Sequence, residues 1–449
     1  MSLLPKKKYS KDILYMATPA IAGLSSQMVV SIINTAMVGR LDNTPVMLAA
    51  MSLGFLASWA VTSMFSSLST GTHVLAARRH GEGNQVGVGE ILNNSLLICL
   101  VLGLFIGFIG YFFSYQIIDL FSKNSAVSAA GASYLKYQFL GLPFFLLIVS
   151  YRGFFLGIGH TKIFMFSAII INVFNIVFNY FFIFGALGFP KMELAGAGVG
   201  YAISLVLGWL FFVAVTFVGD YRKQYKYYSH FRISWDVIVQ IVKISIPVSL
   251  QNILILLGFL CFVAITGIIG IIQQAASQVV ITALFISIMP CFGFGIAAQT
   301  LVGQSLGRGN TRDALLYGYE TAKLGTIFTI LIGALFVFLP EAVIMIITNN
   351  TEVTMVAKPV LQIAGIAQIF YGGGIILANA LQAGGATVYV MLVEVLTHWV
   401  IFLPLTYLFG ITFHWGLVGS WMALPIYIVA YTTMNHLKFR SLTWAHIKV

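Results

Sequence analysis

The sequence predicts an all-α integral membrane protein in which twelve transmembrane helices form two parallel-repeat six-helix lobes. Three observations support this fold class. Hydrophobic residues make up 59% of the 449 residues and charged residues only 8%, a balance that soluble globular domains do not show. Long apolar segments follow one another along the whole chain. Loop motifs of the first half also recur in the second half, which indicates an internal repeat.

Apolar segments long enough to cross a bilayer, about 20 residues each, define the predicted spans in order. The first six lie at about 13–39, 47–77, 90–115, 128–157, 163–186 and 193–218. The second six lie at about 238–267, 273–303, 318–348, 355–383, 388–410 and 417–436. They divide the chain into a first six-helix lobe (1–219), a cytoplasmic linker (220–236), a second six-helix lobe (237–436) and a cytoplasmic tail (437–449).

The two predicted lobes share loop motifs at a constant offset. The loop Gly81–Asn84 recurs 226 residues later as Gly307–Asn310, and Asn124 has its counterpart in Asn350 at the same offset. Each half contains an even number of spans, so both halves begin on the same side of the membrane. The repeats are therefore predicted to be parallel rather than inverted.

Basic residues fall mostly on one side of this predicted topology. If the N-terminus is cytoplasmic, the outside receives Arg40, Lys123, Lys191 and Lys358. The inside receives Lys6, Lys7, Lys8, Lys11, Arg78, Arg79, Lys162, Arg222, Lys223, Lys226, Arg232, Arg308, Arg312, Lys438, Arg440 and Lys448. The positive-inside rule then places both termini in the cytoplasm. We expect the protein itself in the plasma membrane, which is the inner membrane of a prokaryote. The net charge of +11 is explained by topology, and we expect no nucleic-acid partner.

Three motifs identify the family that the chain resembles. The runs Asn34–Leu41, Arg152–Lys162 and Val302–Asn310 resemble signature segments of multidrug and toxic compound extrusion (MATE) transporters, and the resemblance covers essentially the whole chain. The prokaryotic DNA-damage-inducible (DinF-like) branch is the most similar. The resemblance implies a MATE-like fold of two six-helix lobes in a V around a central cavity. It also implies alternating access driven by a proton or sodium gradient.

The resemblance further implies acidic residues that this chain lacks. Where many relatives place aspartates, in the first, fifth and tenth spans, this chain has Asn34, Asn179 and Tyr371. The neighbouring Asn175 does match the family pattern. Because an amide does not titrate, the polar cluster is kept while its charge is lost.

Glu394 is the one acidic residue well inside a predicted span, about 9 Å from the cytoplasmic end at 1.5 Å per residue. An ionisable group within the membrane is costly, which makes it a functional candidate. His398 follows four residues later, on the same face of a helix. We therefore predict that Glu394 and His398 couple transport to an ion. The alternative is that Glu394 only hydrogen-bonds a neighbour and packs helices together.

Amide and hydroxyl side chains within the spans predict contacts with a substrate. Asn34, Asn175 and Asn179 form a candidate neutral site in the first lobe. A further candidate set consists of Gln27, Gln251, Gln278, Gln368 and Tyr371. The alternative is that these side chains hold helices together, at about 0.6–2 kcal/mol each.

These observations favour a secondary active transporter that exports amphiphilic organic compounds. The alternative is a flippase for a lipid or lipid-linked substrate, although few basic residues lie within the spans. Catalysis needs a clustered nucleophile and base or metal ligands, and the sequence has no His-Glu-x-x-His and no phosphate-binding Gly-x-x-x-x-Gly-Lys pattern. We expect no enzymatic activity, no cofactor and no metal site. The expected partners are a small amphiphilic substrate, a proton or sodium ion and membrane lipids, with the protein acting as a monomer.

Overall fold

The computed structural model describes residues 5–218, 220–228 and 232–447, which form helices joined by short loops. Within these ranges, twelve helices are long and apolar enough to cross a membrane. The predicted fold class and number of spans are therefore confirmed. Lys448, counted above among the basic residues of the cytoplasmic side, lies outside the described residues.

The six long helices of the first half are α1 (Lys7–Val38), α2 (Thr44–Gly81), α3 (Gln85–Asp119), α4 (Ser125–Gly157), α5 (Thr161–Phe184) and α6 (Glu193–Phe217), followed in the linker by the short α7 (Tyr221–Tyr225). Of the six long helices, α2 and α3 extend past their predicted apolar segments at both ends, α1, α4 and α5 extend only at the N-terminal end, and α6 matches its segment to one residue. In α2, for example, the last turn contains Arg78, Arg79 and His80, which lie beyond the predicted apolar segment. The helix is longer than the segment because it continues until a capped turn stops it.

The second half contains α8 (Trp235–Ile269), α9 (Ile271–Gly307), α10 (Thr311–Phe338), α11 (Pro340–Ile347), α12 (Thr351–Ala383), α13 (Thr387–Leu396), α14 (Leu403–Tyr407) and α15 (Gly416–Arg440). The predicted ninth span is divided because Pro340 cannot continue α10 and instead begins α11. The predicted eleventh span is also irregular. Two π-helical turns, Thr397–Phe402 and Leu408–Thr412, flank α14, and such turns are frequent at functional sites.

The repeated polar residues of the loops are helix caps. The side chains of Asn84 and Asn310 accept from backbone N–H groups at the starts of α3 and α10. Asn124 does the same for α4, and Asn350 for α12. An asparagine oxygen that satisfies a free N–H group at a helix start stabilises that start by about 1 kcal/mol. The repeat in sequence is thus a repeat of helix starts.

The chain folds into two compact units. The N-terminal unit is Ala22–Ser249, and the C-terminal unit is Met1–Ile21 together with Leu250–Val449. In the N-terminal unit, one buried cluster surrounds Phe154 and Phe212. In the C-terminal unit, one cluster surrounds Phe294 and another surrounds Trp421. Both divisions fall inside a helix, in α1 and in α8, whereas the predicted lobes are divided at the linker. The lobe boundaries drawn from the repeat stay a prediction.

Candidate functional site

Three asparagines predicted to form a site in the N-terminal unit are in direct contact. The Asn34 Nδ2 atom donates to Asn175 Oδ1 at 2.9 Å. The Asn179 Nδ2 atom donates to Asn34 Oδ1 at 2.9 Å and to Asn175 Oδ1 at 3.3 Å. We call these residues the amide triad. Asn175 and Asn179 are buried and Asn34 is half-buried, so the triad combines a closed side with a more accessible one.

Two features of the sequence place the triad residues close together. One is the spacing of the two asparagines on α5, and the other is a glycine on α6. Asn175 and Asn179 are four residues apart on α5 and therefore lie on one helical face. On α6, Gly200 faces Asn179, and any side chain at Gly200 would overlap the Asn179 amide. If the side-chain amide of Asn179 is rotated so that its nitrogen and oxygen exchange positions, the nitrogen instead donates to the backbone carbonyls of Asn175 and Ala197, both at 3.2 Å.

The triad keeps an unused hydrogen-bond donor. Asn175 is 3% exposed, and its Nδ2 atom is buried without a hydrogen-bond partner. A buried polar group without a partner costs about 1–3 kcal/mol. A bound molecule that offers an acceptor oxygen to this nitrogen would recover that cost. The triad has no charge, so it can hydrogen-bond a ligand but cannot neutralise one.

A second polar contact joins α1 and α5, and it was not predicted from the sequence. The Asn172 Nδ2 atom donates to Ser26 Oγ at 2.7 Å. Asn172 lies three residues before Asn175 and seven before Asn179, and this spacing on one helical face was the available signal. Gln27, which belongs to the further candidate set, is exposed on α1, and no hydrogen bond joins it to the triad among the described residues.

In the C-terminal unit, Glu394 is a buried carboxylate held by a tyrosine. Glu394 is 7% exposed, and its Oε1 atom accepts a hydrogen bond from the Tyr427 hydroxyl at 2.5 Å. Tyr431, one turn further along α15, also faces the carboxylate. Hydrogen bonds to ionised groups are short and about twice as strong as neutral ones. Neither tyrosine stood out in the sequence, because both lie in the apolar part of α15 and Glu394 is 33 positions from Tyr427.

His398 lies close to Glu394 but does not bond to it. Six ion pairs are found in the described part of the chain, and none joins these two residues. His398 belongs to the first π-helical turn, and its Nε2 atom is buried without a partner. The imidazole rests on Gly258 of α8, where any side chain would overlap it. It therefore occupies a fitted position with one nitrogen unused.

The remaining predicted polar residues of the C-terminal unit are scattered. Gln368 is buried and accepts a hydrogen bond from Ser287 at 2.7 Å. Gln251 is half-buried, and its Oε1 atom is buried without a partner. Gln278 is exposed. Tyr371 of α12 is half-buried and lies near Glu394. Of this set, only Tyr371 is brought to the Glu394 site.

A second buried carboxylate was missed because the predicted ninth span began too late. The span was predicted from residue 318, but α10 begins at Thr311, and Glu320 is 2% exposed within it. Glu320 accepts from Lys323 Nζ at 2.8 Å and from the Lys6 backbone N–H at 2.7 Å. Glu320 is thus neutralised by a partner, whereas Glu394 contacts only neutral donors. In the described ranges no group of three or more His, Cys, Asp or Glu side chains is placed to hold a metal ion.

Comparison with known sequences places these features in a family context. A sequence profile of the MatE family matches residues 19–181 and 247–408. The chain is 26% identical over 446 residues to the probable multidrug resistance protein NorM of Thermotoga maritima, covering 98% of this chain and 95% of the relative. It is 25% identical over 428 residues to the multidrug resistance protein PmpM of Pseudomonas aeruginosa, covering 93% and 88%.

Solved structures share the fold. A MOP superfamily transporter from Pyrococcus furiosus aligns with a TM-score of 0.88 at 18% identity, covering 96% of this chain and 95% of that chain. A multidrug resistance MATE family transporter in an outward-facing conformation aligns with a TM-score of 0.89 at 20% identity, covering 96% and 95%. At these identities the structures establish a common fold and nothing about substrate.

Proposed function

We propose that this chain is an exporter. It belongs to the MatE family of multidrug efflux transporters. The exported molecules are amphiphilic organic compounds, and transport proceeds by alternating access. Export is driven by antiport with protons or sodium ions. Membership in this family and the presence of twelve membrane-length helices in the described ranges make the chain a multi-pass membrane protein.

The observation that carries the coupling proposal is the buried Glu394 carboxylate. Among the described acidic residues of the membrane-length helices, Glu394 and Glu320 are the two buried ones, and only Glu320 has a cationic partner. A carboxylate in the membrane interior is costly, and binding a proton or a sodium ion removes that cost. Glu394 therefore binds the coupling cation. His398, with its unused Nε2 atom, acts beside it.

Substrate contacts are assigned to the neutral polar residues. The amide triad supplies an unused donor at Asn175 Nδ2, which suits a substrate with an acceptor oxygen. Because the triad carries no countercharge, we infer that a positive charge on the substrate is not what it recognises. Further contacts are assigned to Gln27, Gln251, Gln278, Gln368 and Tyr371.

The orientation follows from the distribution of basic residues. With sixteen basic residues on one side and four on the other, both termini face the cytoplasm. The protein itself lies in the inner membrane of a prokaryotic cell. A single cysteine introduced at Lys223 of the linker, in a background with the native cysteines replaced, is expected to react with a membrane-impermeant maleimide only after the cells are permeabilised. Reaction in intact cells would show that the linker faces the outside and would contradict the predicted topology.

Proteoliposomes test the proposed transport directly. Purified protein is reconstituted, proton and sodium gradients are imposed separately, and a panel of amphiphilic dyes and lysolipids is followed. We expect dye flux against its gradient with one of the two ions and no flux above background without either. Equal movement of lysolipid with neither gradient would contradict antiport and would favour the flippase, an alternative that the names of the relatives do not favour.

A further inference from the structure

One tyrosine contacts both residues of the proposed coupling pair. The Tyr427 hydroxyl donates to Glu394 Oε1 at 2.5 Å. The Tyr427 ring also packs edge-on against the His398 imidazole, with ring centroids 5.7 Å apart and an interplanar angle of 85°. Tyr427 is half-buried on α15, and no sequence feature assigned it to the site.

We propose that Tyr427 is a positioning residue that holds the Glu394 carboxylate against α15, away from His398, and releases it when the coupling cation binds. This proposal rests on the proposed function, because it assumes that Glu394 exchanges the cation. It adds a specific regulation to that site. The state of Glu394 controls the strength of one hydrogen bond that links α13 to α15.

The charge dependence of the hydrogen bond supplies the mechanism. A hydroxyl bound to an ionised carboxylate is held about twice as strongly as one bound to a neutral acceptor. When a proton binds a carboxyl oxygen of Glu394, Tyr427 keeps its own proton and faces a neutral acceptor, so the tie weakens. Glu394 lies one turn before the π-helical turn Thr397–Phe402. A helix bends most easily where its hydrogen-bond pattern is already interrupted.

The surroundings of Glu394 offer it two hydroxyl groups as polar contacts, those of Tyr427 and Tyr431. The titratable groups that face it from the packed elements are Tyr371 of α12, Tyr427 and Tyr431 of α15, and His398 of the π-helical turn, with Cys291 of α9 next to Tyr371. No lysine or arginine of the described chain forms an ion pair with Glu394. A change of charge on Glu394 therefore acts on these two hydroxyl groups, and the Tyr427 ring also contacts His398.

A second tyrosine provides a matched control for the tie between the same helices. Tyr389 of α13 is also half-buried, and its hydroxyl donates to the Met434 carbonyl of α15 at 2.9 Å. Both tyrosines thus link α13 to α15. Only the Tyr427 bond ends on an ionisable acceptor. A purely structural role for these ties predicts the same effect from removing either hydroxyl.

The test compares Tyr427→Phe with Tyr389→Phe in proteoliposomes, alone and combined with Glu394→Gln. We expect Tyr427→Phe to lower gradient-driven dye flux about fivefold, while dye affinity measured in detergent changes less than twofold. Tyr389→Phe should stay within twofold of the parent in both measurements. Added to Glu394→Gln, Tyr427→Phe should cause no further loss, because its charged acceptor is already gone.

Three results would overturn the inference. They are unchanged flux in Tyr427→Phe, an equal loss in Tyr389→Phe, and a further fivefold loss when Tyr427→Phe is added to Glu394→Gln. If Tyr427→Phe does not fold, Glu394→Asp serves instead, because its shorter side chain keeps the charge but does not reach Tyr427; it too should lose about fivefold. The proposed function fails separately, if Glu394→Gln alone leaves gradient-driven flux intact.

Discussion

Replacing Glu394 by glutamine is expected to reduce gradient-driven export by at least about tenfold. The glutamine keeps the size of the side chain and a partner for Tyr427 but cannot bind a proton or attract a cation. A hydrogen bond to a charged group contributes about 1.5–3 kcal/mol, and 1.4 kcal/mol is a factor of ten. Flux in proteoliposomes with an imposed gradient measures the loss, and dye binding in detergent should change little.

An exposed carboxylate on a neighbouring helix is the control for this substitution. Glu352 lies exposed in the first turn of α12, and Glu352→Gln removes the same charge without touching the site. It should retain at least half of the parent flux. Full gradient-driven transport by Glu394→Gln would show that the coupling cation binds elsewhere, and Glu320 would then be the next buried carboxylate to test.

The fold followed from the sequence because its determinants are local and periodic. Each span is a continuous apolar segment, and each repeated loop contains an asparagine that caps the next helix. Gly83 and Gly309 take left-handed conformations with φ of 75° and 72°, which explains why these loops repeat glycine. Helix length, caps and turns depend on neighbours in sequence and are visible there.

The candidate site followed only in part, because its contacts join distant segments. Asn34 and Asn175 were predicted as one group and are bonded over 141 positions, but the family resemblance supplied that pairing. Tyr427 is one of many aromatic residues, and only folding brings it to Glu394. The π-helical turn at Thr397–Phe402 leaves no periodic signal in the sequence. The predicted pairing of Glu394 with His398 was therefore based on the spacing of a regular α-helix.

The two halves differ where the polar residues lie. At the offset of 228 residues that relates Gly39 to Gly267 near the start of each half, Asn34 corresponds to Phe262, which packs against Phe402 and Trp421 in an apolar cluster of the C-terminal unit. The N-terminal unit has a neutral triad where the C-terminal unit has aromatic rings, and the C-terminal unit has the buried carboxylate. We infer that the amide triad contributes to substrate recognition in the N-terminal unit and that Glu394 serves ion binding in the C-terminal unit.

This division of roles leads to the second large expected effect, at Asn175. Asn175→Leu removes the unused donor and the acceptor shared by Asn34 and Asn179. Each buried amide left without a partner costs about 1–3 kcal/mol. The dye concentration for half-maximal transport should rise about thirtyfold, which corresponds to about 2 kcal/mol. The dependence on the driving ion should be unchanged, since Glu394 is intact.

Asn172→Leu is the matched control, because it removes an amide one turn earlier on the same helix that bonds Ser26 and not the triad. It should change the half-maximal concentration by less than threefold. If Asn175→Leu and Asn172→Leu have equal effects, the amides hold α1 against α5 and do not contact substrate. If Asn175→Leu instead removes the ion dependence at unchanged dye affinity, ion coupling resides in the amide triad, and its assignment to Glu394 is wrong.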